Sequence, residues 1–202
     1  MEELLTKKTF KTRKDKLFKI ADRQLGYFTS HQAEKCGLSR SNFHLKIQTG
    51  EWIKELRGIY RLAHYPVVER SELALWTLWS SNKKGIPQGV WSHETALDIH
   101  ELGDLMPAKM HMTVPLRFRR RIEIPKCLQL HFADIPRSDI DMSQGYQVTT
   151  PLRSLIDVIE EKTVSREQII IALRSALQRG LVLQKEFLKL QQLLEYKDEC
   201  NL

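Results

Sequence analysis

The chain has 202 residues, 42% of them hydrophobic and 28% charged, the proportions of a soluble globular protein with room for one large domain or two small ones. No apolar run reaches the roughly 18 residues of a membrane span, and the basic N-terminus has no apolar stretch of the kind that marks a secretory signal. Three cysteines, Cys36, Cys127 and Cys200, are odd in number and share no metal spacing, so a reducing, cytoplasmic setting is the expectation.

Charge is unevenly placed. Residues 1–62 contain 14 Lys/Arg and 7 Asp/Glu, a net +7, whereas residues 63–202 contain 18 of each. An excess confined to the first third points to one module that faces a polyanion and another that faces something else. The fold class expected is α+β: an N-terminal winged helix-turn-helix over 1–62, then a mixed α/β domain over 63–202 with a small sheet and helices.

Residues 14–24 place Leu17, Phe18, Ile20 and Ala21, followed by Leu25, at helical spacing, and Gly26 ends that helix. Tyr27 and Phe28 read as core residues. Thr29 is a good N-cap for a helix over 30–35, and Ser39 for one over 40–49. Ala33 is small where two helices would cross, and Gly37 permits the tight turn between them. Leu38, Phe43 and Ile47 would fill the seam. The outward residues of the second helix are then Arg40, Ser41, Asn42, His44, Lys46 and Gln48, donors and acceptors without a carboxylate. That composition suits a major groove and its phosphate walls. Ser30 and Gln32 at the start of the first helix, together with Ser39, complete the candidate contact set.

After Gly50, apolar residues at 53, 56, 59, 60 and 62 flank Arg57-Gly58, a hairpin turn. Lys54, Arg57 and Arg61 would grip phosphates or a minor groove. A basic hairpin directly after a recognition helix is the layout of a winged helix.

Three stretches of this module are Leu25-Gly26-Tyr27-Phe28-Thr29-Ser30-His31-Gln32-Ala33, Gly37-Leu38-Ser39-Arg40-Ser41 and Gly58-Ile59-Tyr60-Arg61-Leu62. Further on come Trp91-Ser92-His93-Glu94-Thr95-Ala96-Leu97, His111-Met112-Thr113-Val114-Pro115 and the segment 148–157, Val-Thr-Thr-Pro-Leu-Arg-Ser-Leu-Ile-Asp. In this order, over about residues 15–185, the set resembles the AbiEi-type antitoxins of type IV toxin–antitoxin systems, which are linked to abortive phage infection. The resemblance implies a winged-helix repressor of its own operon, with a C-terminal domain that counters a nucleotidyltransferase-like toxin encoded beside it, with or without a stable complex. Double-stranded operator DNA, read as an inverted repeat by a pair of protomers, is the expected partner. About six phosphate contacts would give a log–log salt slope near −5.

In the second module, residues 67–82 carry Val67, Val68, Leu73, Leu75, Trp76, Leu78 and Trp79 on a helical pattern, and 81–89 reads as a loop. Ser92 can cap a helix over 94–100. Residues 110–114 and 128–132 alternate as strands. Between them lie Arg117, Arg119, Arg120 and Arg121 around Phe118. These arginines repel one another unless an anion is near. Contact with a DNA backbone, an RNA or an acidic toxin surface stands beside a plain solvated hairpin tip. Thr150 and Pro151 start a helix with Leu152, Leu155, Ile156 and Ile159 inward. Ser165 caps another, with Ile169, Ile170, Leu173, Ala176 and Leu177 inward, and Gly180 ends it. The last helix, 185–196, carries Phe187, Leu188, Leu190, Leu193 and Leu194.

Enzyme signatures are missing: no Gly-rich phosphate loop, no Gly-x-Ser-x-Gly elbow, no His-Glu-x-x-His. His93, His100, His111 and His131 are scattered, and His93 with Glu94 reads as helix capping. No catalytic residue, metal or cofactor is expected. The alternative is a nucleic-acid enzyme, with Glu94, Asp98, Glu123, Asp134 and Lys126 serving a nuclease-like C-terminal domain positioned by the winged helix. A stand-alone transcriptional regulator is a further reading.

Overall fold

A computed structural model describes residues 2–120, 123–143 and 145–199, the side chains of 2–11, 198 and 199 excepted. It divides into two compact units: Met1–Gln88 with Gln144–Tyr146, and Gly89–Ser143 with Gln147–Leu202.

The first unit opens with α1 (Glu2–Asp22), which starts well before residue 14. Its last two turns bury Leu17 and Ala21. Leu25 and Gly26 both take positive φ, 55° and 88°, and turn the chain into β1 (Tyr27–Thr29). A Cβ at Gly26 would sit 2.6 Å from the Tyr65 ring, so only glycine fits there. The two aromatics Tyr27 and Phe28 are therefore a buried strand. Next come α2 (Ser30–Lys35), a 3-10 turn over Arg40–Asn42, α3 (Phe43–Gln48), β2 (Trp52–Leu56) and β3 (Ile59–Leu62).

The sheet order is β1-β3-β2, antiparallel throughout. Phe28 pairs with Tyr60 across β1 and β3, and Trp52 with Leu62 across β2 and β3. Strand alternation thus aims Phe28, Trp52 and Tyr60 at the helices. Phe28 and Phe43 meet the Trp52 ring edge-on at 4.8 and 5.1 Å. With Leu17, Ala21, Ala33 and Leu38 they form the core. Helix–strand–helix–helix–strand–strand, with a three-stranded sheet, is a winged helix.

The unit continues beyond Leu62, because α4 (Ser71–Trp79) packs on β1 and β3. Val67 and Val68 are exposed and lie before α4, since the helix begins only after Arg70, which has a left-handed φ of 59°.

The second unit is built on a five-stranded sheet in the order β6-β5-β4-β8-β7. The strands are β4 (Val90–Trp91), β5 (Met110–Val114), β6 (Leu128–Phe132), β7 (Ile140–Ser143) and β8 (Tyr146–Thr149). β4 runs antiparallel to β5 and parallel to β8, and β5 runs parallel to β6. The arginine-bearing stretch after β5 is consequently a crossover connection, not a hairpin tip, because parallel neighbours cannot be joined by a tight turn.

The helices are α5 (His93–Ile99), α6 (Pro151–Glu161), α7 (Arg166–Gln178) and α8 (Gln184–Glu199). Thr150 and Ser165 accept hydrogen bonds from the backbone N–H of Arg153 and Gln168, and so hold the first turns of α6 and α7. Leu97, Leu155, Ile159, Leu173, Leu190 and Leu194 fill the core. Leu188 faces solvent.

Candidate functional site

The helix-turn-helix is held by local bonds. Thr29 and Gln32 form a capping box: Thr29 Oγ1 accepts from the Gln32 N–H at 3.2 Å, and Gln32 Oε1 accepts from the Thr29 N–H at 2.8 Å. The Gln32 amide also exchanges two hydrogen bonds with Gln24. Its polar atoms are thus engaged within the module. Gly37, at φ +85°, makes the turn, and Arg40 bridges it with an ion pair to Glu34 at 2.8 Å. Ser39 does not cap α3. Entry is through the 3-10 turn, and the Ser39 hydroxyl instead meets that of Ser41 at 2.7 Å.

Arg40, Ser41, Asn42, His44 and Gln48 are exposed along one face, and no carboxylate stands among them. Leu45 joins them at 55% exposure, an apolar residue outside the donor and acceptor set expected from the sequence. Lys46 differs. It is half-buried, and its Nζ lies 2.6 Å from Glu51 Oε1, while Lys14 Nζ lies 2.9 Å from Oε2 of the same carboxylate. Hydrogen bonds from Lys14 and then Lys46 hold the Glu51 carboxyl below its ordinary range. This triad lines a cleft of about 580 Å³ walled by Phe18, Leu38, Trp52 and Leu62.

On the wing, Lys54 and Arg57 are exposed, and Gly58 at φ +78° makes the tip. Arg61 is half-buried and paired to Glu55 at 2.9 Å. Ser30 lies beside the tip: its N–H donates to the Gly58 carbonyl at 2.9 Å. The structure thus brings Arg40, Ser41, Asn42, His44, Gln48, Lys54 and Arg57 to the surface. Gln32, Lys46 and Arg61 go into internal bonds.

Residues 15–63 match the family model described as transcriptional regulator, AbiEi antitoxin. The N-terminal module is similar to that family over these residues. The match begins in α1 and ends one residue after β3, so it runs from the second half of α1 through the wing. No curated protein matches the chain. Among the described residues no helix is long and apolar enough to cross a membrane.

The second unit gathers what the sequence leaves scattered. His93, at the start of α5, His111 on β5 and His131 on β6 meet in one cluster. The His93 and His131 rings stack at 3.7 Å, and His111 Nδ1 lies 3.0 Å from His131 Nε2. Glu161, the last residue of α6, places Oε1 3.3 Å from His93 Nε2 and Oε2 2.8 Å from His131 Nδ1. Glu94 Oε1 stands 3.8 Å from His111 Nε2. His93 does not cap α5. Its Nδ1 is 2.9 Å from Ser92 Oγ, to which Thr113 also donates at 2.7 Å. His93 takes a left-handed φ of 53°, a backbone state that costs a β-carbon residue roughly 1–2 kcal/mol. His100 lies apart, with Nε2 2.7 Å from the Thr149 carbonyl oxygen.

Burial, with the neighbouring His131 and His111 rings next, pushes His93 down to about 3. Burial likewise pushes His111 down to about 4. Burial also lowers His131, with Glu161 acting in the opposite direction. All three rings are therefore neutral at pH 7. Asp157 on α6 moves the other way: burial raises it to about 6 despite its 2.7 Å bond from Arg153 Nε.

The acidic set Glu94, Asp98, Glu123 and Asp134 with Lys126 does not form a metal-holding group. Among the described residues the one group of three or more potential ligands is His93, His131 and Glu161. In the arginine stretch, Phe118 is buried, while Arg117 and Arg119 are exposed. Arg119 donates to the carbonyls of Leu116 and Phe118, and Arg120 is half-buried. Arg121 lies outside the described residues.

Proposed function

We propose that the chain is a DNA-binding antitoxin of a type IV system. Its winged helix represses its own operon, and its C-terminal domain counters a nucleotidyltransferase-like toxin encoded next to it. Residues 1–62 carry the DNA contact and residues 63–202 the effector role. One observation carries the reading: an exposed helix face of Arg40, Ser41, Asn42, His44 and Gln48 without a carboxylate, beside a wing tipped by Arg57, in the third of the chain that holds the entire +7 excess.

α3 lies in the major groove, with its first residues at base edges. Arg57 and Lys54 reach the flanking phosphates, the docking mode of helix-turn-helix proteins. Leu45 supplies an apolar contact of the kind that reads a thymine methyl. A single winged helix reads only a few base pairs, so two protomers occupy an inverted repeat. Exposed Arg117 and Arg119 are the candidate contacts of the second domain with an anionic partner, whether nucleic acid or toxin.

The test is a mobility shift with the DNA upstream of the gene, at low and rising salt. A retarded band that weakens steeply with salt supports the reading, and no band at low salt refutes it. Co-expression with the adjacent gene tests the antitoxin role, comparing the full chain with its two parts. If the full chain leaves a toxic neighbour toxic, that role fails while DNA binding stands.

A further inference from the structure

The histidine cluster of the second unit has no part in DNA reading, and its geometry points to a different chemistry. Three donors from distant points in the chain converge: His93 Nε2 at the start of α5, His131 Nδ1 on β6 and the Glu161 carboxylate at the end of α6. These ligand atoms all lie within 4.8 Å of one another. Donors each about 2.0–2.2 Å from one zinc ion in a tetrahedron stand roughly 3.4 Å apart, so the three atoms have to draw in by no more than about 1.5 Å to hold it.

The ring nitrogens that face away are engaged as well. His93 Nδ1 lies beside Ser92 Oγ, and His131 Nε2 beside His111 Nδ1, whose own Nε2 faces Glu94. That is the outer arrangement metal-binding histidines require, since a partner on the second nitrogen sets the tautomer and aims the lone pair. Every member of this chain can reverse its role. With the proton of each ring on its inner nitrogen, both rings donate to Glu161. With the proton on the outer nitrogen, His93 donates to Ser92 and His131 to His111, and both inner lone pairs are free on the Glu161 side; a tilt of the two stacked rings, 3.7 Å and 14° apart, turns them onto one ion. Each ring keeps its single proton in the exchange.

We propose that His93, His131 and Glu161 bind one divalent transition-metal ion of the zinc class. Two imidazoles and a carboxylate are the donor set that suits Zn²⁺. Three protein ligands leave a fourth position. It opens to solvent through Glu161, whose side chain is 47% exposed, so a water or a small anion completes the shell. The ion ties α5, β6 and α6 together at the place where the left-handed backbone of His93 is held. His111 and Glu94 act as positioning residues that orient His131.

The test uses the full chain stripped with a chelator, titrated with Co²⁺ and followed by its visible d–d absorption, then with Zn²⁺ in competition with a chromophoric chelator. The expected result is one ion per chain, with affinity at least about tenfold weaker in Glu161→Gln and unchanged in His64→Ala, a histidine of the other unit. Thermal unfolding should shift upward with Zn²⁺ in the wild type and much less in Glu161→Gln. An affinity no better than millimolar, or equal affinity in wild type and Glu161→Gln, overturns the proposal; the second result would place the ion elsewhere. Should Glu161→Gln fail to fold, imidazole nitrogen NMR of the wild type decides. Zn²⁺ must move the signals of His93 and His131 and leave His44 in place, and any other pattern overturns it.

Discussion

The sharpest test of the interface contrasts two basic residues of the same module. Arg57 stands exposed at the wing tip, whereas Lys46 is held between α3 and Glu51 at 2.6 Å. Of the cations proposed to contact DNA, Arg40, Lys54 and Arg57 are exposed. Arg40 does pair with Glu34, but its side chain is 69% exposed, and such pairs are weak and exchangeable. On the proposed inverted repeat, three contacts per protomer would make six, and at about 0.9 per neutralised phosphate the log–log salt slope would be about −5.4. Arg57→Ala removes two of the six and brings the slope to about −3.6, a difference that amounts to roughly sixty-fold in affinity between 1 M and 0.1 M salt. Lys46→Ala should leave the slope at the wild-type value and lower only the stability of the module, by up to about 1 kcal/mol. Fluorescence anisotropy with the operator duplex over a salt series measures both. Equal slopes for Arg57→Ala and wild type, or a fall with Lys46→Ala as large as with Arg57→Ala, would refute the assignment of contacts.

Leu45→Gln should change which bases are preferred at one or two operator positions and leave the salt slope alone, which a binding-site selection would reveal. Gly37→Ala forces a β-carbon into φ +85° and should cost the first unit about 1–2 kcal/mol in urea unfolding, with DNA affinity falling only as far as the folded fraction falls. Phe28→Ala should cost about 3–5 kcal/mol, because that fully buried ring meets Trp52 edge-on and stacks with Tyr60 at the centre of the core. In metal-free protein the second unit should lose stability as pH falls from 6 to 4. The unfolded chain protonates His93 and His111 near 6.5 while the native state resists, so it binds about two more protons; native Asp157 binds one that the unfolded chain does not. Those three groups leave a net of about one proton, or about 1.4 kcal/mol per pH unit; lowered His131 adds to the loss and raised Glu94 offsets it. Stability that is flat or rising toward acid in denaturant titrations would contradict the neutral state of those rings.

The elements legible in the sequence are those that single residues impose locally. Thr29 caps, Gly37 and Gly58 bend the chain at positive φ, and Thr150-Pro151 starts a helix. Each sets its own few residues whatever the rest of the chain does. Misreadings arise where the deciding contact is longer or the face is drawn too broadly. Lys46 stands one helical turn after buried Phe43 and so shares its inward face, while Leu45, two residues after Phe43, points the opposite way. Composition favoured the lysine for a DNA contact, and spacing would have favoured the leucine.

The histidine cluster had no such local sign. His93, His111 and His131 follow no fixed interval, and they meet because β4 pairs antiparallel with β5 while β5 pairs parallel with β6. In the second pairing His131 sits opposite Thr113, two residues from His111, so both rings lie on one face of the sheet. The crossover that makes the pairing parallel is the arginine-bearing stretch, which reads in sequence as a hairpin. A hairpin would have reversed β6 and set a different residue opposite Thr113. The same error of strand direction therefore hid both the nature of the arginine loop and the convergence of the imidazoles. Glu161 adds a second cause: it is the last residue of α6, exposed in the helical pattern, and nothing short of the assembled fold sets it against β6.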